Sequence, residues 1–313
     1  MDELTVVDAD GVDVFVRRWI PDNEPRGAVV LVHGASEHSG RYARVAEVLR
    51  EAEYAVYALD LRGHGRTAAS TGPGRAGPRG MDGVLDDVGD VIRLAADEVV
   101  NRPIVLFGHS MGSLITQAFV QQREHDLTAY ALSGTTGPTE GAHEFADGMR
   151  EAVEAGMADE PLDTLAGLNA AFEPARTEWD WLSRDPDEVE KYIADPLCGD
   201  GVPLTYGYVA GMLDTLSTAM ESEGIARIPR HLPVLLLTGE EDPASNAAAQ
   251  VRELEHRLRV AGLDVTAIYY PGARHEVLNE TNRDEVHRDL VTWLQRFTRK
   301  SARGGHTAPT DSR

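Results

Sequence analysis

The sequence predicts an α/β protein: a mostly parallel, doubly wound sheet with an inserted helical cap. Three observations predict it. Short apolar runs without alternation recur along the chain, stretches with a 3.6-residue apolar period lie between most of them, and one acidic segment of about 95 residues interrupts the rhythm. Such runs belong to strands buried on both faces, and strand, helix, strand in repetition means crossovers between parallel neighbours.

The elements follow in order. Alternation in Leu4 to Val7 and Val12 to Trp19, joined by Asp8-Ala9-Asp10-Gly11, predicts an antiparallel hairpin closed by an Asp-Gly turn at a sheet edge. Buried strands are expected at Ala28 to Val32, Ala55 to Leu59, Ile104 to Phe107, Ala129 to Leu132, Val234 to Leu237 and Val265 to Tyr270. Helical periodicity marks Val45, Val48 and Leu49, then Val84, Val88, Val91, Ile92 and Leu94, and finally Val286, Leu290, Val291 and Leu294. The core is therefore expected in residues 1–133 and 230–299, with the cap at 134–229. About 20 acidic and about 5 basic side chains fall in the cap, the pattern of solvated helix faces. There Val209, Met212, Leu213, Leu216 and Met220 share one helical face, which either forms the cap's own small core or lines a space above the site. The polar stretch 300–313, with Gly-Gly and Pro, is expected to be a disordered tail.

Composition excludes several function classes. A formal net charge of −22 repels phosphate backbones and anionic headgroups, so nucleic acid is not an expected partner. Cys198 is the only cysteine, which leaves no intramolecular disulfide and no Cys/His pattern with zinc-ligand spacing; no metal or other cofactor is expected. The start Met1-Asp2-Glu3-Leu4 is acidic where a signal peptide would be basic, and no apolar run approaches the roughly 18 residues of a membrane span. A cytoplasmic enzyme without an integral membrane segment is the expectation. Oligomeric state is not legible.

The chemistry is concentrated at three strand ends. Ile104 to Phe107 runs into Gly108-His109-Ser110-Met111-Gly112 and then into a helix-like stretch, which is a nucleophile elbow in its expected setting. A serine hydroxyl needs a base, and the base needs an orienting carboxylate. Past Val234 to Leu237 comes Thr238-Gly239-Glu240-Glu241-Asp242-Pro243, where Asp242 is the preferred acid and Glu240 and Glu241 are rivals in the same loop. Past Tyr270 comes Pro271-Gly272-Ala273-Arg274-His275, and His275 alone among 11 histidines has both the order and the strand-end position for a general base. His125, His256 and His287 lie in polar helical contexts and are expected at the surface. Donors for an oxyanion are expected at the amides of Met111 and Ala35, with His33 and Gly34 shaping the second loop and His109 packed beside the elbow.

His33-Gly34-Ala35-Ser36-Glu37-His38-Ser39-Gly40-Arg41-Tyr42, Leu59-Asp60-Leu61-Arg62-Gly63-His64-Gly65, Gly-His-Ser-Met-Gly and Pro271 to Glu280 together resemble the monoacylglycerol lipase and lysophospholipase family of the α/β-hydrolase superfamily. The resemblance spans nearly the whole chain, including Leu182 to Pro186 and Asp195-Pro196-Leu197 in the cap. It implies the α/β-hydrolase fold, the same three catalytic residues, and a substrate-binding role near the glycerol side for Glu37, Arg41 and Tyr192, with His109 beside them. Ser36 and Ser113 depart from the family, which usually has glycine at both places, and the acidic cap is a third departure. The expected partner is a small ester or lipid. Lysophospholipase, short-chain carboxylesterase and acyltransferase activities share this machinery, since the cap decides acceptor and acyl chain. A serine at 110 argues against the aspartate-nucleophile chemistries of this fold. A non-hydrolytic binding protein is the alternative from another class.

Overall fold

The computed structural model describes residues 1–298 apart from 140, 166 and 218, so the expected tail at 300–313 lies outside the described residues. The strands are β1 (Asp2–Val7), β2 (Asp13–Trp19), β3 (Gly27–Val32), β4 (Tyr54–Leu59), β5 (Ile104–His109), β6 (Ala129–Ser133), the two-residue β7 (Pro161–Leu162) and β8 (Leu204–Thr205), β9 (Val234–Gly239) and β10 (Val265–Tyr270). Eight of them form one sheet in the order β1-β2-β4-β3-β5-β6-β9-β10, while β7 and β8 pair separately. From β4 to β10 all neighbours are parallel, and only β2 runs against them, antiparallel to both β1 and β4. The hairpin turn is held by Asp8, whose Oδ1 accepts from the amides of Asp10 and Val12 at 2.8 Å, and Gly11 takes the positive φ the turn requires.

The helices are α1 (Ala43–Glu51), α2 (Ala68–Thr71), α3 (Gly80–Glu98), α4 (Met111–Gln122), α5 (Ala142–Ala152), α6 (Pro186–Ala194), α7 (Tyr206–Leu216), α8 (Ser222–Ile225), α9 (Ala249–Val260) and α10 (Arg283–Thr298). Val45 and Leu49 of α1 and Val286, Leu290 and Leu294 of α10 cover one sheet face. Val84, Val88 and Val91 of α3, Ile115 and Phe119 of α4, and Val251 and Leu254 of α9 cover the other. Covering both faces explains why β3, β4, β5, β6 and β9 are buried at every residue and why their sequences do not alternate. One expectation is corrected here. His287 is buried at 3% exposure, because it sits on the inward side of α10 with Nε2 3.1 Å from the Leu278 carbonyl.

Chain order places the functional crevice. After β3 the chain moves outward to β4, then returns to lay β5 on the other side of β3, so the direction of winding reverses between β3 and β5. Loops leaving the carboxyl ends of these two strands diverge and leave a crevice, and Val32 and Gly108 mark its floor in register. Between β6 and β9 the chain leaves the sheet. Val209 of α7 is buried in the main core, and Met212, Leu213 and Leu216 pack against that same core. The helix ends at Leu216, so Met220 lies beyond the shared face. A separate buried cluster joins Trp181, Leu182, Tyr192 and Cys198. Among the described residues no helix is long and apolar enough to cross a membrane.

Away from the crevice, Arg62 is fully buried and holds three carboxylates, Asp87 through Nε (2.8 Å) and Nη2 (3.1 Å) together with Asp8 and Asp10. One guanidinium does not neutralise three acids. Burial pushes the Asp87 carboxyl up to about 7, only partly opposed by Arg62. The unfolded chain ionises this group near the ordinary aspartate value, so its contribution is fully present below that value and is lost as pH rises through about 7. Thermal unfolding midpoints should therefore fall between pH 5 and pH 8 by clearly less in Asp87→Asn than in the parent protein, checked by calorimetry at both pH values.

Candidate active site

At the end of β5 the chain turns so sharply into α4 that Ser110 takes φ +51° and ψ −122°, outside the regions open to ordinary residues. Such a conformation costs of order 1–3 kcal/mol and persists only where its surroundings enforce it. The enforcement is a close crossing. A Cβ at Gly108 would strike the Gly112 carbonyl and the Thr116 hydroxyl, and one at Gly112 would strike the carbonyls of Val32 and His33. Ser113 closes the elbow from below, its hydroxyl donating to the Ser110 carbonyl at 2.6 Å and lying 2.8 Å from Thr135 Oγ1. A glycine there would lack both bonds, so this departure from the family pattern supports the turn.

Asp242 follows β9 and is fully buried; its Oδ1 accepts from the Ala244 amide at 2.9 Å and lies 3.0 Å from His275 Nδ1. Neither rival takes that place, since Glu240 pairs with Arg252 at 2.7 Å and Glu241 is exposed. His275 follows β10 and is 2% exposed, with the Trp181 ring 4.9 Å away and the His109 ring 5.0 Å away. Burial pulls the imidazole pKa down, but the Asp242 carboxylate overrides it and leaves the net shift upward. With Nδ1 donating to Asp242, Nε2 is the nitrogen free to accept a proton. Among the described residues neither His275 Nε2 nor Ser110 Oγ has a hydrogen-bond partner. The serine–histidine hydrogen bond is thus not made in this geometry, and such bonds often tighten only in the Michaelis complex.

The remaining expected residues gather around the β3 loop. Neither the Ala35 nor the Met111 amide donates to any acceptor among the described residues, and Met111 opens α4, where such amides point free. His33 Nε2 accepts from the Leu61 amide at 2.9 Å, so its proton sits on Nδ1 and is donated to the Gly34 carbonyl at 2.7 Å; it shapes the loop as a neutral ring. His109 is buried with Nδ1 3.2 Å from Ser133 Oγ, and burial with the nearby His275 pushes its pKa down to about 4. It stays neutral at working pH.

Glu37 accepts from the Gly34 amide (2.6 Å), Tyr42 (2.7 Å) and Arg41 (2.8 Å), while Arg41 grips Glu276 with both nitrogens at 2.5 and 2.8 Å. Burial alone would raise the Glu37 pKa, but the Arg41 guanidinium pulls it to about 2. Tyr192 lies under that guanidinium, 4.7 Å from it, and donates to the Ser36 carbonyl at 3.0 Å. The polar atoms of Glu37, Arg41 and Tyr192 are therefore directed at one another and at the loop. Glu276 was missed in the sequence, although its place next to His275 is a signal.

His38, Asp195 and Cys198 bring one ligand atom each within 4.8 Å of one another. They do not suit a metal. His38 Nδ1 accepts from the Gly40 amide at 3.2 Å, so Nε2 carries the proton it shares with Asp195 at 2.9 Å and has no lone pair to offer. An apolar cavity of about 150 Å³ lies beside α4, lined by Leu114, Pro138, Ala146, Leu213, Leu216 and Met220 among others. Leu114 stands one helical turn beyond Ser110.

Residues 23–282 match the family described as serine aminopeptidase, S33. The chain is 34% identical over 284 residues to a monoacylglycerol lipase of Mycolicibacterium smegmatis, spanning 91% of this chain and 93% of the relative. It is 26% identical to the monoglyceride lipase of Rattus norvegicus over 92% of this chain and 89% of that one. Among solved structures, a thermostable carboxyl esterase from Bacillus coagulans in complex with glycerol superposes with a TM-score of 0.89 at 27% identity, over 95% of this chain and 98% of that one.

Removing the shared cation should be severe. Arg41→Met leaves Glu37 and Glu276 buried without a counter-charge, and the expected loss is at least about 3 kcal/mol of unfolding free energy in urea titrations.

Proposed function

This chain belongs to the serine aminopeptidase S33 family of α/β-hydrolases and, with it, to the monoacylglycerol lipases, and from that premise we propose that Ser110, Asp242 and His275 are the nucleophile, orienting acid and general base of a monoacylglycerol hydrolase. The observation that carries the reading is the buried Asp242–His275 hydrogen bond, with the His275 ring 5.0 Å from that of His109, the residue next to the strained Ser110. The ester carbonyl binds with its oxygen between the amides of Ala35 and Met111. His275 Nε2 removes the hydroxyl proton as Ser110 Oγ bonds to the carbonyl carbon, and the oxyanion gathers charge on the two amides. Collapse expels the glycerol oxygen, which takes the proton from His275 and leaves an acyl-serine. Water then repeats the sequence, giving its proton to His275 and releasing the fatty acid. Asp242 stabilises the imidazolium in both steps.

The segment between β6 and β9 acts as the cap in this reading, and the cavity beside Leu114 takes the acyl chain, because its walls are mostly apolar and Leu114 stands one helical turn from Ser110. A cytoplasmic setting fits the single buried, free thiol of Cys198.

Ser110→Ala should remove monoacylglycerol turnover by many powers of ten while leaving the melting midpoint close to that of the parent; turnover at the parent rate would refute the assignment. The acid limb of kcat/KM should lie above the ordinary histidine value, since only neutral His275 accepts the proton and its pKa is raised by Asp242. In Asp242→Asn the limb should move to lower pH and turnover should drop by about 10⁴. Leu213→Trp, which fills the cavity, should shift preference from long to short acyl chains in a monoacylglycerol length series.

A further inference from the structure

Ser36 adjoins the Ala35 amide and adopts φ +52°, a left-handed conformation that favours glycine. It is 4% exposed, and every polar contact that compensates this conformation comes from the excursion between β6 and β9. Its hydroxyl donates to the Val202 carbonyl at 2.9 Å. Its own carbonyl accepts from the Tyr192 hydroxyl at 3.0 Å and from the Gly199 amide at 2.9 Å. Gly199 itself has φ +59° and lies against the Trp179 and Tyr192 rings, so the stretch that reaches Ser36 is packed in place. On the other side of Ala35, the Gly34 amide is held by Glu37. The peptide that carries the Ala35 amide is therefore held by His33 through its Gly34 carbonyl, and the chain on either side of it is held by Glu37 and, through Ser36, by the excursion.

We propose that Ser36 and Tyr192 are positioning residues that couple the cap to the oxyanion site, setting the direction of the Ala35 amide through the latch Ser36–Val202 and Tyr192–Ser36. The proposal rests on the reading of Ala35 as an oxyanion donor. Donor direction matters more for the tetrahedral intermediate than for the planar ester, so loosening the latch weakens transition-state binding and leaves ground-state binding nearly intact. A hydroxyl at position 36 adds a tie that glycine would not make, so this chain holds its oxyanion loop to its cap more tightly than the family pattern requires.

The test uses Ser36→Ala, which loses only the bond to Val202, and Tyr192→Phe, which loses only the bond to the Ser36 carbonyl. Both are measured on p-nitrophenyl butyrate and against phenylboronic acid, whose serine adduct places a tetrahedral oxygen at the oxyanion position. Each variant should lower kcat roughly tenfold with KM within about twofold, and weaken boronate inhibition in proportion to kcat. The double variant should lose no more than the worse single one, because both ties act on one peptide. Unchanged kcat, a loss confined to KM, or fully multiplicative losses would each overturn the latch. The underlying reading fails separately: a fluorophosphonate that does not label Ser110 in the parent protein removes the premise, whereas labelling with unaffected variants removes only the latch.

Discussion

Everything at this site depends on the close crossing of β5 and α4. Because Gly108 and Gly112 have no Cβ, strand and helix meet at a distance no other residues allow, and the chain between them has one way to turn. That turn sets Ser110 at a positive φ and opens α4 at Met111, so one packing event produces both the strained serine and a helix N-terminal amide with no acceptor among the described residues. The reversal of winding between β3 and β5 then brings the Ala35 loop to the same crevice.

Charge organises the second layer. Arg41 joins Glu37, which holds the Gly34 amide, to Glu276, which adjoins His275, so one guanidinium fixes the loop after β3 against the loop after β10. The pair of acids also leaves a net negative charge near His275, which together with Asp242 favours the imidazolium. The excursion after β6 reaches the same loops through backbone bonds, from the Glu276 amide to the Leu182 carbonyl at 2.8 Å and from the Gly199 amide to the Ser36 carbonyl. The loops that carry His275 and Ala35 are thus both tied to the excursion between β6 and β9.

The strands were legible because burial on both faces writes an unbroken apolar run, as in Val29 to Val32 or Val234 to Leu237. The elbow was legible because its sterics demand two glycines at fixed spacing. Pairings between distant side chains were not. Arg41 and Glu276 are 235 residues apart, and although Glu276 adjoins His275, nothing local marks Arg41 as its partner. His287 reads as a surface residue because its neighbours are charged, yet its side of α10 faces inward. Ser36 stands out in sequence only as a departure from the family's usual glycine, and nothing there foretells the bonds to Val202, Tyr192 and Gly199 that hold its positive φ.

The central claim is that Ser110 becomes acylated with His275 as its base, and intact-mass spectrometry of the enzyme quenched during turnover of a slowly deacylating p-nitrophenyl ester tests it most directly. The account predicts a stoichiometric acyl adduct on the peptide containing Ser110, lost in His275→Ala. An adduct on another residue, or full acylation at the parent rate in His275→Ala, would contradict it.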